Sequence, residues 1–249
     1  DDLFLTPSEF SVTLHLPKNY TIVSDFNVIE ENTSQNTKSI SLSAEKRTNL
    51  TIYLEKNSTF ETIETDKLKV ITNLQNSKVN PPVQALMIDR IVHFLDERLG
   101  PYPFEKMVIS ETDYKTNPVY GLNQLPRFIS PFPDGFEYDM EQLKTITRHY
   151  IDNTLIMDSR DDYWLQDALQ IYLMMEYVDT YYPKMKIIGN LSNWWIIRWA
   201  HAADLEFNDQ YPILYLNMAR NNIHQALNTP KDSLLKFNMN IANGYYGAT

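Results

Sequence analysis

The chain has 249 residues, of which 43% are hydrophobic and 12% aromatic, enough to bury a sizeable core, so a disordered chain is excluded. Its formal charge of -10 and pI near 4.9 exclude a phosphate-binding surface, which needs clustered Lys and Arg, and no nucleic-acid partner is expected. There is no cysteine, so disulfides and thiolate metal sites are excluded, and the five histidines and the carboxylates are the remaining metal-ligand candidates.

Residues 1–80 read as an antiparallel β-sheet region. FSVTLHL alternates Phe10, Val12, Leu14 and Leu16 against polar residues, and NLTIYLE repeats the pattern with Leu50, Ile52 and Leu54. SISLSAE and KLKVITNL supply two more short strands, and the whole reads as a sheet with one buried and one solvated face. Pro81 and Pro82 cannot continue a ladder and mark the boundary.

From residue 81 to 249 the apolar period changes. Leu86, Ile88, Ile91, Val92, Leu95 and Leu99 stand at helical spacing, and Gly100-Pro101 stops the helix. YPFEKMVISET returns to a strand, and the proline-punctuated PVYGLNQLPRFISPFPDG is strand edge or loop. Asp139 with Gln142 forms a capping-box start to a helix carrying Met140, Leu143, Ile146, Tyr150, Ile151 and Leu155. After the acidic turn DSRDD a second helix runs through Trp164, Leu165, Ala168, Leu169, Tyr172 and Leu173. LSNWWIIRWAHAADLEF, YPILYLNMARNNIHQAL and the segment from Lys231 read as helical. No apolar run approaches the ~18 residues that cross a bilayer, so no transmembrane segment is expected in this chain. A start on DDLFLTPSEF, without Met or leader, reads as a processing boundary, and segments beyond it favour an extracytoplasmic or membrane-associated location.

The chemistry centres on TRHYIDNT. A zinc hydrolase needs three protein ligands, an open position for water and a base, and His-Glu-x-x-His on one helix supplies most of these in a single turn. Four blocks between Val92 and Asp179 resemble the gluzincin zinc aminopeptidases, the aminopeptidase N and leukotriene hydrolase family. HFLDERLGPYPFEKMVISE resembles that family's helix, turn and strand, and VYGLNQLPRFI its exopeptidase segment. RHYIDNTL falls where the metal-binding helix stands, and DYWLQDALQIYL resembles the block that carries the third ligand. FETIETDKLKVI is similar to the end of the family's β-domain.

The resemblance implies an α+β fold, an N-terminal antiparallel sheet followed by a thermolysin-like, mainly helical domain. Carried over residue by residue, it puts His149 at the first ligand, Tyr150 at the general base, Asn153 at the second ligand and Asp167 at the third. Gly121 keeps a substrate-binding position, while Gln124 stands where a glutamate would hold a peptide's amino terminus. Tyr245 or Tyr246 in the NGYYGAT terminus matches the oxyanion-stabilising tyrosine. Thirteen residues separate Asn153 from Asp167, a shorter loop than the family's.

Losing a base costs ~10² to 10⁴ in rate, and asparagine is a poor zinc ligand. The expectation is a non-catalytic homologue without bound cofactor, acting as a peptide or protein binder or a scaffold. The alternative is a divergent zinc metallopeptidase that cleaves peptide N-termini, with zinc held by other residues. His15, His93, His201 and His224 show no partners at ligand spacing and read as surface or structural residues.

Overall fold

The computed structural model describes residues 6–119, 122, 131–158, 160–193, 204–234 and 246–248. The first sheet contains β1 (Ser8–Pro17), β3 (Asn27–Thr33) and β4 (Thr37–Arg47), in the order β1-β4-β3 and antiparallel throughout. In β1 the expected alternation holds, Phe10, Val12, Leu14 and Leu16 lying inward of exposed neighbours. A short antiparallel pair, β2 (Thr21–Val23) with β5 (Tyr53–Glu55), completes a small core in which Phe26, Ile40 and Leu42 are buried.

The next strands behave differently. β6 (Glu61–Glu64) pairs antiparallel with β7 (Lys69–Thr72), and β7 pairs in parallel with β8 (Lys106–Ile109). A parallel neighbour needs a crossover, and α1 (Pro81–Leu99) is that crossover. Its first turn accepts Pro81 and Pro82 because those amide positions lack helical partners anyway. It ends at Gly100, whose φ of 85° is open to glycine and whose N–H donates to the Asp96 carbonyl at 3.0 Å.

The larger core gathers Val70, Met107 and Ile109 from this sheet with Ile88, Ile91, Val92 and Leu95 of α1. It continues through Met140, Leu143, Ile146 and Tyr150 of α3 (Asp134–Thr154) and Ile171, Leu173 and Tyr177 of α4 (Tyr163–Tyr181). Burying each such side chain contributes roughly 1.5–3 kcal/mol relative to leaving it in water. A six-residue helix, α2 (Glu111–Thr116), follows β8, and α5 (Gln210–Arg220) lies later in the chain. No described helix is long and apolar enough to cross a membrane.

Several local expectations are corrected. Asp139 does not cap a helix: α3 begins five residues earlier, and Asp139 is a fully buried acceptor for Arg90 at 2.6 Å, Tyr177 at 2.8 Å and Tyr182 at 2.9 Å. Leu86 is exposed on α1, as are Leu165 and Tyr172 on α4, whose inner face instead carries Gln166, Asp167 and Gln170. The segment from Lys231 makes one 3-10 turn, Lys231–Ser233, before Leu234 turns extended. Residues 194–203, most of the stretch read as LSNWWIIRWAHAADLEF, lie outside the described residues.

Candidate functional site

The site assembles where the last turns of α3 meet α2 and the start of α4. Ser110 follows β8 in an extended conformation and caps α2, its hydroxyl accepting from the Asp113 N–H at 3.1 Å. Asp113 reciprocates by accepting from the Ser110 N–H at 2.8 Å, a capping box that fixes the carboxylate. The Tyr53 hydroxyl, from β5, donates to the same carboxylate at 2.7 Å and accepts from the Ser110 hydroxyl at 3.1 Å.

His149 of α3 points its Nε2 at this carboxylate, 3.6 Å away. Burial raises the Asp113 carboxyl, but the bonds from His149, Tyr53 and Ser110 outweigh it and hold the group below the usual carboxylate range. Burial pushes the Tyr53 phenol up, so it stays a donor. The result is a hydrogen-bonded chain from Ser110 through Tyr53 to Asp113, with His149 Nε2 3.6 Å from the same carboxylate.

Asp167 faces a different partner. Arg148 donates to its carboxylate at 2.9 Å and to Asp152, one helical turn away, at 3.0 Å. Behind this pair Lys144 is buried in the α3–α4 contact, its carbonyl accepting from the Gln170 side-chain amide at 2.7 Å. Burial brings the Lys144 ammonium down to about 7; Asp167 opposes the shift and Arg148 adds to it.

The other predicted positions are likewise engaged. The Asn153 side chain donates to the His149 carbonyl at 2.8 Å, bending back on its own helix. Tyr150 is fully buried, packs at a tilt against Tyr102 with ring centroids 5.1 Å apart and donates to the Gly100 carbonyl at 3.0 Å. Burial pushes its phenol up to about 12, the wrong direction for a base at neutral pH. Tyr246 packs on Tyr211 at 5.3 Å. Gly121, Gln124 and Tyr245 lie outside the described residues.

His149 and Asp167 are turned to separate partners, and the Arg148 guanidinium stands against the carboxylate that a cation would need. Among the described residues no three His, Asp or Glu side chains that include His149 or Asp167 come close enough to share an ion. Sequence reasoning missed Asp113 and Tyr53, which come from separate stretches of chain. The Ser-x-x-Asp spacing of Ser110 and Asp113 is the one signal that could have flagged the capping box.

No family model and no curated protein matches this chain. Solved structures do. The M1 zinc metallopeptidase of Deinococcus radiodurans aligns with 97% of this chain and 51% of its own length, at 12% identity and a TM-score of 0.52. A substituted form of that enzyme bound to a Tyr-Ser-Ala substrate aligns with 97% and 50%, at 13% identity and a TM-score of 0.50. A two-domain M1 zinc metallopeptidase bound to L-tryptophan gives 97% and 50%, at 13% identity and a TM-score of 0.53. The chain thus spans about half the length of these relatives in structure. It has the M1 metallopeptidase fold, at an identity that establishes architecture alone.

Proposed function

We propose that this chain is a non-catalytic member of the metallopeptidase fold, a pseudopeptidase that binds a peptide or protein or serves as a scaffold. The observation that carries the reading is the closure of the site by its own side chains. Arg148 neutralises Asp167 at 2.9 Å, and His149 is committed to Asp113 at 3.6 Å. A metal-activated water needs ligands free to converge and a base near it, and Tyr150 is a buried phenol in the base position.

The test pairs two measurements on the intact chain. A panel of aminoacyl fluorogenic substrates is expected to show no turnover above a denatured control, with or without added zinc. Chelator-sensitive release of fluorophore would overturn the reading. Binding is then measured by anisotropy with labelled peptide mixtures, and His149→Trp, which fills the space beside Asp113, is expected to weaken it. Equal binding before and after would favour a scaffold over a peptide binder.

A further inference from the structure

We propose that Asp66, Asp89 and His93 form a binding site for a divalent transition-metal ion of the zinc type, on the opposite flank of α1 from its buried face. The three side chains bring one ligand atom each to within 4.8 Å of one another. His93 Nε2 lies 2.9 Å from Asp66 Oδ1 and 3.8 Å from Asp89 Oδ1, so a single nitrogen faces both carboxylates. Ligands ~2.0–2.2 Å from a common zinc ion stand at comparable separations from each other.

Both supports are rigid. Asp89 and His93 are one turn apart on the 19-residue α1, whose inward face holds Ile88, Ile91, Val92 and Leu95 at full burial. Asp66 sits in the β6–β7 turn, which Thr65 clamps: its hydroxyl donates to the Leu68 carbonyl at 2.8 Å and accepts from the Leu68 N–H at 3.1 Å. The neighbouring cation, Lys67, reaches away to Asp96 at 3.1 Å and leaves the trio to a ligand from solvent.

The donor chemistry selects the ion. Two carboxylates balance a double positive charge, and an imidazole nitrogen favours zinc, nickel, cobalt or copper over magnesium and calcium, which prefer all-oxygen shells. Three protein ligands leave positions for water, so the ion exchanges with solvent. The bound ion ties the β6–β7 turn to α1. It also means that zinc found in this protein does not by itself report on His149.

The test uses the whole chain, stripped with chelator and dialysed, titrated calorimetrically with zinc chloride and separately with magnesium chloride. One zinc per chain is expected, with no saturable magnesium binding under the same conditions. His93→Ala and Asp89→Asn are each expected to weaken zinc at least ~10-fold while His149→Ala leaves it unchanged. Paramagnetic copper(II) should broaden the His93 ring resonances selectively. Saturable zinc that survives both α1 substitutions and disappears with His149→Ala would overturn the proposal and return the ion to the end of α3. Uptake that never saturates means an adventitious ion only and overturns it as well.

Discussion

Two histidines stand beside aspartates in this protein, and their surroundings differ. His149 meets Asp113 in a part-buried chain that includes Tyr53 and Ser110, with Arg148, Asp167 and Lys144 packed on the adjoining helix contact. His93 meets Asp66 and Asp89 in the open, its side chain 41% exposed. The first cluster lies on the helix that resembles a metal-binding helix, yet its charges are consumed internally. The second lies on no motif, yet its ligand atoms converge. A metal site is a geometric object, and helical spacing supplies only half of it.

The contrast predicts that substitutions at the α3 cluster change stability strongly, in either direction, whereas those at the α1 cluster leave it nearly unchanged. The largest effect is expected from Lys144→Met. An unfolded lysine holds its proton to about pH 10.4, while in the fold this one releases it near 7, so burial of the charge destabilises the native state in full below pH 7. That cost fades as pH rises from 7 towards 10.4. Urea denaturation should show Lys144→Met more stable than the parent by about 4 kcal/mol at pH 7, with a much smaller gap at pH 9.5. A gap that stays constant would show that the lysine is not held neutral.

Next in size is Arg148→Met, which leaves Asp167 buried against its neighbours without its guanidinium partner. A loss of about 3 kcal/mol is expected, below the most buried pairs because Arg148 is itself 30% exposed. Asp167→Asn on the same background should recover part of it, which a double-mutant cycle reads directly.

Asp113→Asn is expected to cost about 2 kcal/mol at neutral pH, through the capping box, the bond from Tyr53 and the nearby His149 imidazole. Its sign with pH follows from the lowered carboxyl. The native state binds that proton less readily than the unfolded chain, so the stabilisation is complete above about pH 4 and is lost as pH falls through the folded value. The difference between parent and variant should therefore shrink as pH falls below about 4.

The smallest effect is expected from His93→Ala in metal-free protein. Exposed pairs contribute below about 1 kcal/mol, so its melting curve should nearly overlay the parent's. A large loss would make the trio a structural clasp and erase the contrast with His149.

How much was legible in the sequence varied with how far the deciding contacts reached. β1 was readable because alternate residues face a small core. β3 was not, since all seven of its residues are exposed and no periodic signal records its pairing with β4. The helical stripes of α1 and α3 were readable, but α4 presents Gln166, Asp167 and Gln170 inward while Leu165 and Tyr172 face water. Those polar residues are stable inside because α3 offers the Lys144 carbonyl and the Arg148 guanidinium, 18 to 26 residues away along the chain. Asp139 looked like a cap for the same reason: its partners Arg90, Tyr177 and Tyr182 are invisible to local spacing.

By itself the sequence determined the α+β architecture, the strand and helix periods and the order of blocks that resembles the metallopeptidases, because each depends on neighbours within a turn or a strand. Only the tertiary structure decided where the charges go. His149 turned to Asp113, Asp167 to Arg148, and His93 to an aspartate 27 residues earlier in the chain. Electrostatic partners act across a few ångströms of space, and the fold alone sets which residues come that close.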